Sequence, residues 1–179
     1  IIHKQLEFIQ NKNLGYNPEN ILAISTAGIR GGDTNRALVN AFEKLPNVSV
    51  VSRSQGYPGI GVSGRNLSKP NSTQRISIKT NRSENKIKEV LQLKLLAGKM
   101  LPLQKQNKDT LVEVVVNKTA IDFLGFSPEE AIGKKIEMQL GNNAYIIGVV
   151  DDFNFESLHT PIGAYAFHNR ASEAKSFYW

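Results

Sequence analysis

The sequence predicts a mixed α+β domain, and three observations lead there. Apolar residues recur at helical spacing in some stretches, as with Ala37, Leu38, Ala41, Phe42 and Leu45. Elsewhere they alternate, as with Ile76 and Ile78 against Arg75, Ser77 and Lys79. The two patterns are interleaved along 179 residues, of which 40% are hydrophobic and 21% charged. That length suits one medium domain, or one with two small lobes, and a core that needs no staples.

Taken in order, Ile2, Leu6 and Ile9 lie on one stripe, so residues 2–12 read as a helix that Gly15 stops. "ILAIS" (21–25) reads as a short apolar strand and "AGIRGGD" as a Gly-rich loop. Asp33 or Thr34 caps the next helix, Pro46 ends it, and "VSVVSRS" (48–54) reads as a second strand, giving a β–α–β unit. Residues 55–72 hold Gly56, Gly59, Gly61 and Gly64 with Pro58 and Pro70, and read as a long loop. "QRISIKT" (74–80) is a half-exposed strand, and Ser83 opens a helix with Ile87, Val90 and Leu91 on one side. "LKLLAGKML" is a short extended piece, followed by a polar loop at 102–109. "LVEVVV" (111–116) is a buried-type strand. Asn117 caps a helix bearing Ala120, Ile121 and Leu124, which Gly125 stops. "SPEEAIG" holds a capping box, with Ser127 at N-cap, Pro128 at N1 and Glu130 at N3. "KKIEMQL" and "AYIIGVV" flank Gly141-Asn142-Asn143 as a hairpin, and "AYAF" (164–167) is a final strand.

Cysteine is absent, which excludes disulfides, thiolate metal sites and Cys nucleophiles. No stretch approaches the ~18 apolar residues that a membrane span needs. The start at Ile1 and the close on "SFYW" read as cut ends, so a soluble piece of something larger is expected. Net charge is +6, unevenly spread. Residues 1–100 carry 15 Lys+Arg against 6 Asp+Glu, while residues 101–179 carry 7 against 10. Such a bias fits either an anionic partner or a solvated basic face.

"GIGVSG" (59–64) matches the dinucleotide-binding pattern in letters, but Pro58 precedes it and no helical period follows its third glycine. Pyrophosphate binding needs that helix N-terminus, so a loop is expected instead. "GKK" at 133–135 lacks the upstream glycines of a phosphate-binding loop. "VVDDFNFESLH" places Asp151, Asp152, Glu156 and His159 close together. Adjacent carboxylates on a strand face opposite ways, so strand termination and turn capping are favoured over a shared metal. A metal-dependent hydrolase using Asp151, Asp152 and His159 remains an alternative from the residues alone. Residues 65–99 hold nine Lys+Arg and two Glu, with no aromatic between Tyr57 and Phe123. Stacking on bases would want interleaved aromatics, so nucleic acid is not the expected partner. A domain binding it through Arg75, Lys79, Arg82 and Lys86 is the other alternative.

"QLEFIQNKNLGYNPENILAI", "LLAGKML", "VVVNKTAIDFLGFSPEEAIGKKIEM" and "YIIGVVDDFNFESLH" occur in that order. Together they resemble the MacB-type periplasmic core domain of FtsX-like ABC transporter permeases. The resemblance covers about residues 5–165 and is strongest over 114–161. It implies a porter-like βαβ lobe with a second mixed α/β lobe inserted. In chain order it implies a stalk helix after a membrane span (1–15), a porter-like lobe (16–99), an inserted lobe (100–160) and a truncated return to the first lobe (161–179). Ile2, Leu6 and Ile9 would form the stalk face, and Phe153, Phe155 and Leu158 would pack and couple the lobes. The domain would face the periplasm or cell exterior from the cytoplasmic membrane and carry no catalytic residue, cofactor or metal. Implied partners are a cytoplasmic ABC ATPase subunit, a second permease copy, and a periplasmic adaptor or exported substrate. Two departures stand out: Lys99 replaces the more usual Arg after "AG", and a strand–helix–strand passage after the last strand is missing.

Overall fold

A computed structural model describes residues 12–26, 32–58, 60–69, 72–102, 112–140 and 144–169. The helices are α1 (Gly32–Phe42), α2 (Ile87–Leu91), α3 (Lys118–Leu124) and α4 (Pro128–Ala131). The strands are β1 (Ser63–Ser68), β2 (Arg75–Arg82), β3 (Leu95–Gly98), β4 (Val112–Asn117), β5 (Lys135–Met138), β6 (Ala144–Val150) and β7 (Ala164–His168). The predicted helix 2–12, with Ile2, Leu6 and Ile9, lies outside the described residues apart from Lys12.

All seven strands join one mixed sheet in the order β3-β6-β4-β7-β2-β1-β5, and β5 also pairs with β6. The pairing therefore closes on itself through six strands. β5 meets β1 at Leu67↔Met138 and meets β6 at Ile136↔Ala144. β3 continues along the edge of β6 beyond β5, through Leu95↔Val150 and Gly98↔Gly148. Closure removes the free edges that an open sheet would expose. β2 and β7 run parallel, as do β4 and β6. The sequence boundary at 99/100 falls between β3 and β4, and strands from both sides share this sheet.

The interior follows from strand alternation. Leu67, Ile78, Val114, Val116, Ile136, Met138, Ile146, Ala164 and Ala166 gather in one buried cluster with Ala120, Ile121 and Leu124 of α3. A six-stranded ring is narrow, which accounts for alanine at two of the inward positions of β7, Ala164 and Ala166. The outward residues of the same strands, Val115, Tyr165 and Phe167, form a second cluster with Ile87 and Leu91 of α2, Phe153 and Phe155.

Local signals placed most elements correctly. Asn117 Oδ1 accepts from Ala120 N at 3.3 Å to open α3, and Gly125 closes it at φ +84°. Ser127 and Glu130 form the reciprocal capping box of α4. Several expectations differ. α1 begins at Gly32, so Asp33 and Thr34 lie inside it, and it ends at Phe42, ahead of Pro46; α2 begins at Ile87 after Lys86, not at Ser83. Residues 21–25 and 48–54 do not form strands beyond isolated bridges, among them Ser54↔Ser83. Their β-branched runs lack a ladder partner among the described residues. The second half of the predicted loop 55–72 is instead strand β1, paired antiparallel with β2 from Ser63↔Thr80 to Ser68↔Arg75. "SGRNLS" has weak strand propensity, and a long-range partner overrides it.

Candidate functional site

The segment 12–17 covers the end of the expected stalk (1–15), and the structure docks it onto residues 152–158. Asn154 N donates to Leu14 O at 2.7 Å, and Asn17 N donates to Leu91 O at 3.0 Å at the end of α2. Lys12 Nζ donates to Leu158 O at 3.2 Å. Gly15 adopts φ +74°, and a Cβ there would press on the Asp152 carbonyl and lie 2.7 Å from Phe153 Cα. Only glycine gives both the left-handed turn and so close an approach. The latch is thus mainly backbone to backbone.

Beneath it sits an aromatic cluster. Phe153 is fully buried, stacks on Phe167 at 5.8 Å and meets Tyr165 edge-on at 5.0 Å, while Phe155 lies 4.6 Å from Tyr165. Phe155 is buried, whereas Leu158 is half-buried and serves the latch through its carbonyl. Burial pushes the Tyr165 phenol well above its ordinary pKa despite a hydrogen bond from Asn81 Nδ2 at 3.0 Å. Tyr16, on the latch strap, packs edge-on against Tyr57, and burial followed by that neighbour raises it to about 12.

The acidic pair diverges. Asp152 Oδ1 accepts from Asn117 Nδ2 at 2.7 Å and Thr119 N at 2.9 Å, and Oδ2 accepts from Thr119 Oγ1 at 2.9 Å. It therefore satisfies a free N–H in the first turn of α3 and ties that turn to the latch. Asp151 instead forms an ion pair with Lys94 at 3.3 Å. His159 is exposed on a turn, its backbone N donating to Ser157 Oγ, and Glu156 pairs with Lys79. Among the described residues no group of three His, Asp or Glu is placed to hold a metal ion. This geometry does not support the hydrolase reading.

The basic residues differ in their settings. Arg75 is exposed, Lys79 pairs with Glu156, Lys86 Nζ lies 2.7 Å from Glu43, and Arg82 is buried. Burial, with Arg53 nearby, lowers the Arg82 pKa. Two of the four are thus held in ion pairs and a third is buried, which does not favour the nucleic-acid reading.

Sequence reasoning missed Leu14, Asn17 and Asn154, and read Gly15 only as a helix stop. Its one signal was the glycine itself. The partners lie some 140 residues away in sequence, beyond any local pattern.

No family model and no curated protein matches the sequence. Solved structures do resemble it. The periplasmic region of MacB from Actinobacillus actinomycetemcomitans matches over 98% of this chain and 78% of that one, at TM-score 0.55 and 17% identity. The extracellular domain of the noncanonic ABC-type transporter YknZ from Gram-positive bacteria matches over 82% of this chain and 72% of that one, at TM-score 0.50 and 14% identity. The likeness is one of fold. A MacB-type periplasmic domain, implied by the sequence motifs, is the fold found. Among the described residues no helix is long and apolar enough to cross a membrane.

Proposed function

We propose that this chain is an extracytoplasmic domain of an ABC transporter permease and that its work is mechanical, not catalytic. The fold likeness supports the class. The observation that carries the mechanical reading is the docking of Leu14 and Gly15 onto residues 152–154. In this reading residues 1–15 form the stalk, and Ile2, Leu6 and Ile9 are the face that meets the neighbouring stalk. Movement of the stalk pulls on a short, hydrogen-bonded strap. The strap is anchored at Asn154, over the buried Phe153 and Phe155, and at the end of α2.

The ranges 16–99, 100–160 and 161–179 then act as one body. β1–β5 and β2–β7 pairings join them. Sliding one against another would break main-chain hydrogen bonds at about 1 kcal/mol each. A cytoplasmic ATPase subunit drives the motion through the membrane part, a second permease copy supplies the neighbouring stalk, and an adaptor or exported substrate receives the stroke. The domain faces the periplasm or cell exterior.

The test uses the full-length permease reconstituted with its ATPase. Gly15→Val is expected to preserve ATP turnover and abolish transport. Hydrogen exchange at the Asn154 amide reports release of the latch. Normal transport with a folded domain and a released latch would overturn the reading.

A further inference from the structure

We propose that Asn81 is the positioning residue of the strap's seat: its one buried carboxamide holds both surfaces that grip Gly15 and Tyr16. Gly15 rests on Asp152 and Phe153, whereas Tyr16 meets Tyr57 edge-on at 6.2 Å. Strand β2 carries Asn81 on the outward face of the sheet, in register with Phe167 of β7, and the side chain is 1% exposed. All four hydrogen-bonding positions of its amide are filled. Nδ2 donates to the Tyr165 hydroxyl at 3.0 Å and to Gly56 O at 2.9 Å. Oδ1 accepts from Ser54 Oγ at 2.8 Å and from Gly56 N at 3.2 Å.

On one side the amide therefore fixes the phenol of Tyr165, whose ring lies 5.0 Å from Phe153. On the other it binds both main-chain groups of Gly56, as a neighbouring strand would, one residue before Tyr57. The turn beyond is tight. Tyr57 N donates to Ile60 O at 3.1 Å, Ile60 N donates to Tyr57 O at 2.8 Å, and a Cβ on Gly56 would press on the Ile60 carbonyl. Tyr57 thus goes where Gly56 is held. Burying an amide beside aromatic rings is costly unless every donor and acceptor is met, and a fully met network is rigid. Apolar packing alone would let Tyr57 and Phe153 settle independently. The shared amide fixes their spacing in advance, so closing the strap does not also have to order the Tyr57 turn. Without Asn81 that ordering cost falls on strap closure, and the closed strap loses population. Gln55 N still donates to Arg82 O at 2.7 Å, so the segment stays on the sheet while the turn loosens.

This inference rests on the strap of the proposed mechanism, but its test reads strap closure and not transport. In the reconstituted full-length permease without ATP, hydrogen exchange is followed at the Asn17 and Asn154 amides, which close the strap, and at the Val114 and Val116 amides of β4. Asn81→Ala is expected to lower strap protection about tenfold through the loosened turn, with β4 still protected. Tyr57→Ala is expected to lower it about fivefold, and adding it to Asn81→Ala is expected to change little more, because Asn81 acts through Tyr57. Tyr165→Phe keeps the ring, removes one of the four amide partners and is expected to give about a threefold loss. Unchanged strap protection in Asn81→Ala would overturn the proposal. So would losses that multiply in the double variant, which would mark Asn81 and Tyr57 as independent structural residues. Loss of β4 protection in Asn81→Ala would mean general unfolding, and Tyr165→Phe then decides: a loss confined to the strap supports the proposal and no change there overturns it. A strap released in these variants with transport still normal would support this proposal and overturn the mechanical reading.

Discussion

Replacing Gly15 by alanine tests the latch most sharply, because the fold supplies its own control. Gly15 and Gly125 have nearly the same backbone, φ +74° and φ +84°. Forcing a Cβ into that left-handed region costs about 1–2 kcal/mol at either site. The surroundings differ. At Gly125 an added Cβ meets nothing within 4 Å. At Gly15 it presses on the Asp152 carbonyl and lies 2.7 Å from Phe153 Cα and 3.0 Å from Phe153 Cβ. Relief requires the strap to lift, which sacrifices the Leu14–Asn154 hydrogen bond, or Phe153 to shift within its aromatic cluster. Overpacking of this kind adds about 1–3 kcal/mol. Gly125→Ala is therefore expected to cost about 1–2 kcal/mol and Gly15→Ala about 2–5 kcal/mol. For a domain of this size each kcal/mol lowers Tm by roughly 2–4 °C. Urea denaturation followed by far-UV circular dichroism measures both. Equal losses in the two variants would refute the close-packed latch, since backbone strain alone would then explain everything.

Phe153→Ala is expected to cost about 3–5 kcal/mol, and Leu158→Ala about 1 kcal/mol, because one side chain is fully buried and the other half-buried. The same denaturation curves decide it, and comparable losses would contradict the packing described. Asp152→Ala is expected to lower stability by about 2–3 kcal/mol through its three hydrogen bonds to the start of α3, while millimolar Zn²⁺ or Mg²⁺ leaves the wild-type Tm unchanged. A metal-induced rise in Tm that the variant lacks would restore the metal-site reading. At high pH, Tyr16 and Tyr165 are held neutral in the folded state beyond the point at which they ionise when unfolded. Their raised pKa values give stability that is complete below about pH 10 and declines as pH climbs through the Tyr16 value of about 12. Phenolate absorbance should therefore lag for two tyrosines, and Tyr165→Phe should remove part of that lag. An unchanged titration would refute it.

Much of the fold was legible because its signals are local. Asn117, Gly125 and the Ser127–Glu130 box fix the ends of two helices within a few residues, and alternation in β2 and β5–β6 follows from which face is buried. The motif order carried the likeness to a MacB-type domain even though identity to the solved structures is 14–17%. The acidic stretch at Asp151 reads as a strand end because adjacent side chains on an extended chain face opposite ways, and the two carboxylates do take separate partners, Lys94 and the start of α3. The strands predicted at 21–25 and 48–54 failed for the opposite reason. A strand needs a partner, and propensity says nothing about whether one is present.

The sequence by itself determined the caps of α3 and α4 and the alternation of β2, since each depends on neighbours a few positions away. Tertiary structure alone decided that β5 would bridge β1 and β6 to close the ring, that "SGRNLS" would be a strand, and that Gly15 would seat against Phe153. These are pairings between residues distant in the chain, and their register is set by the joint packing of both partners rather than by either stretch alone.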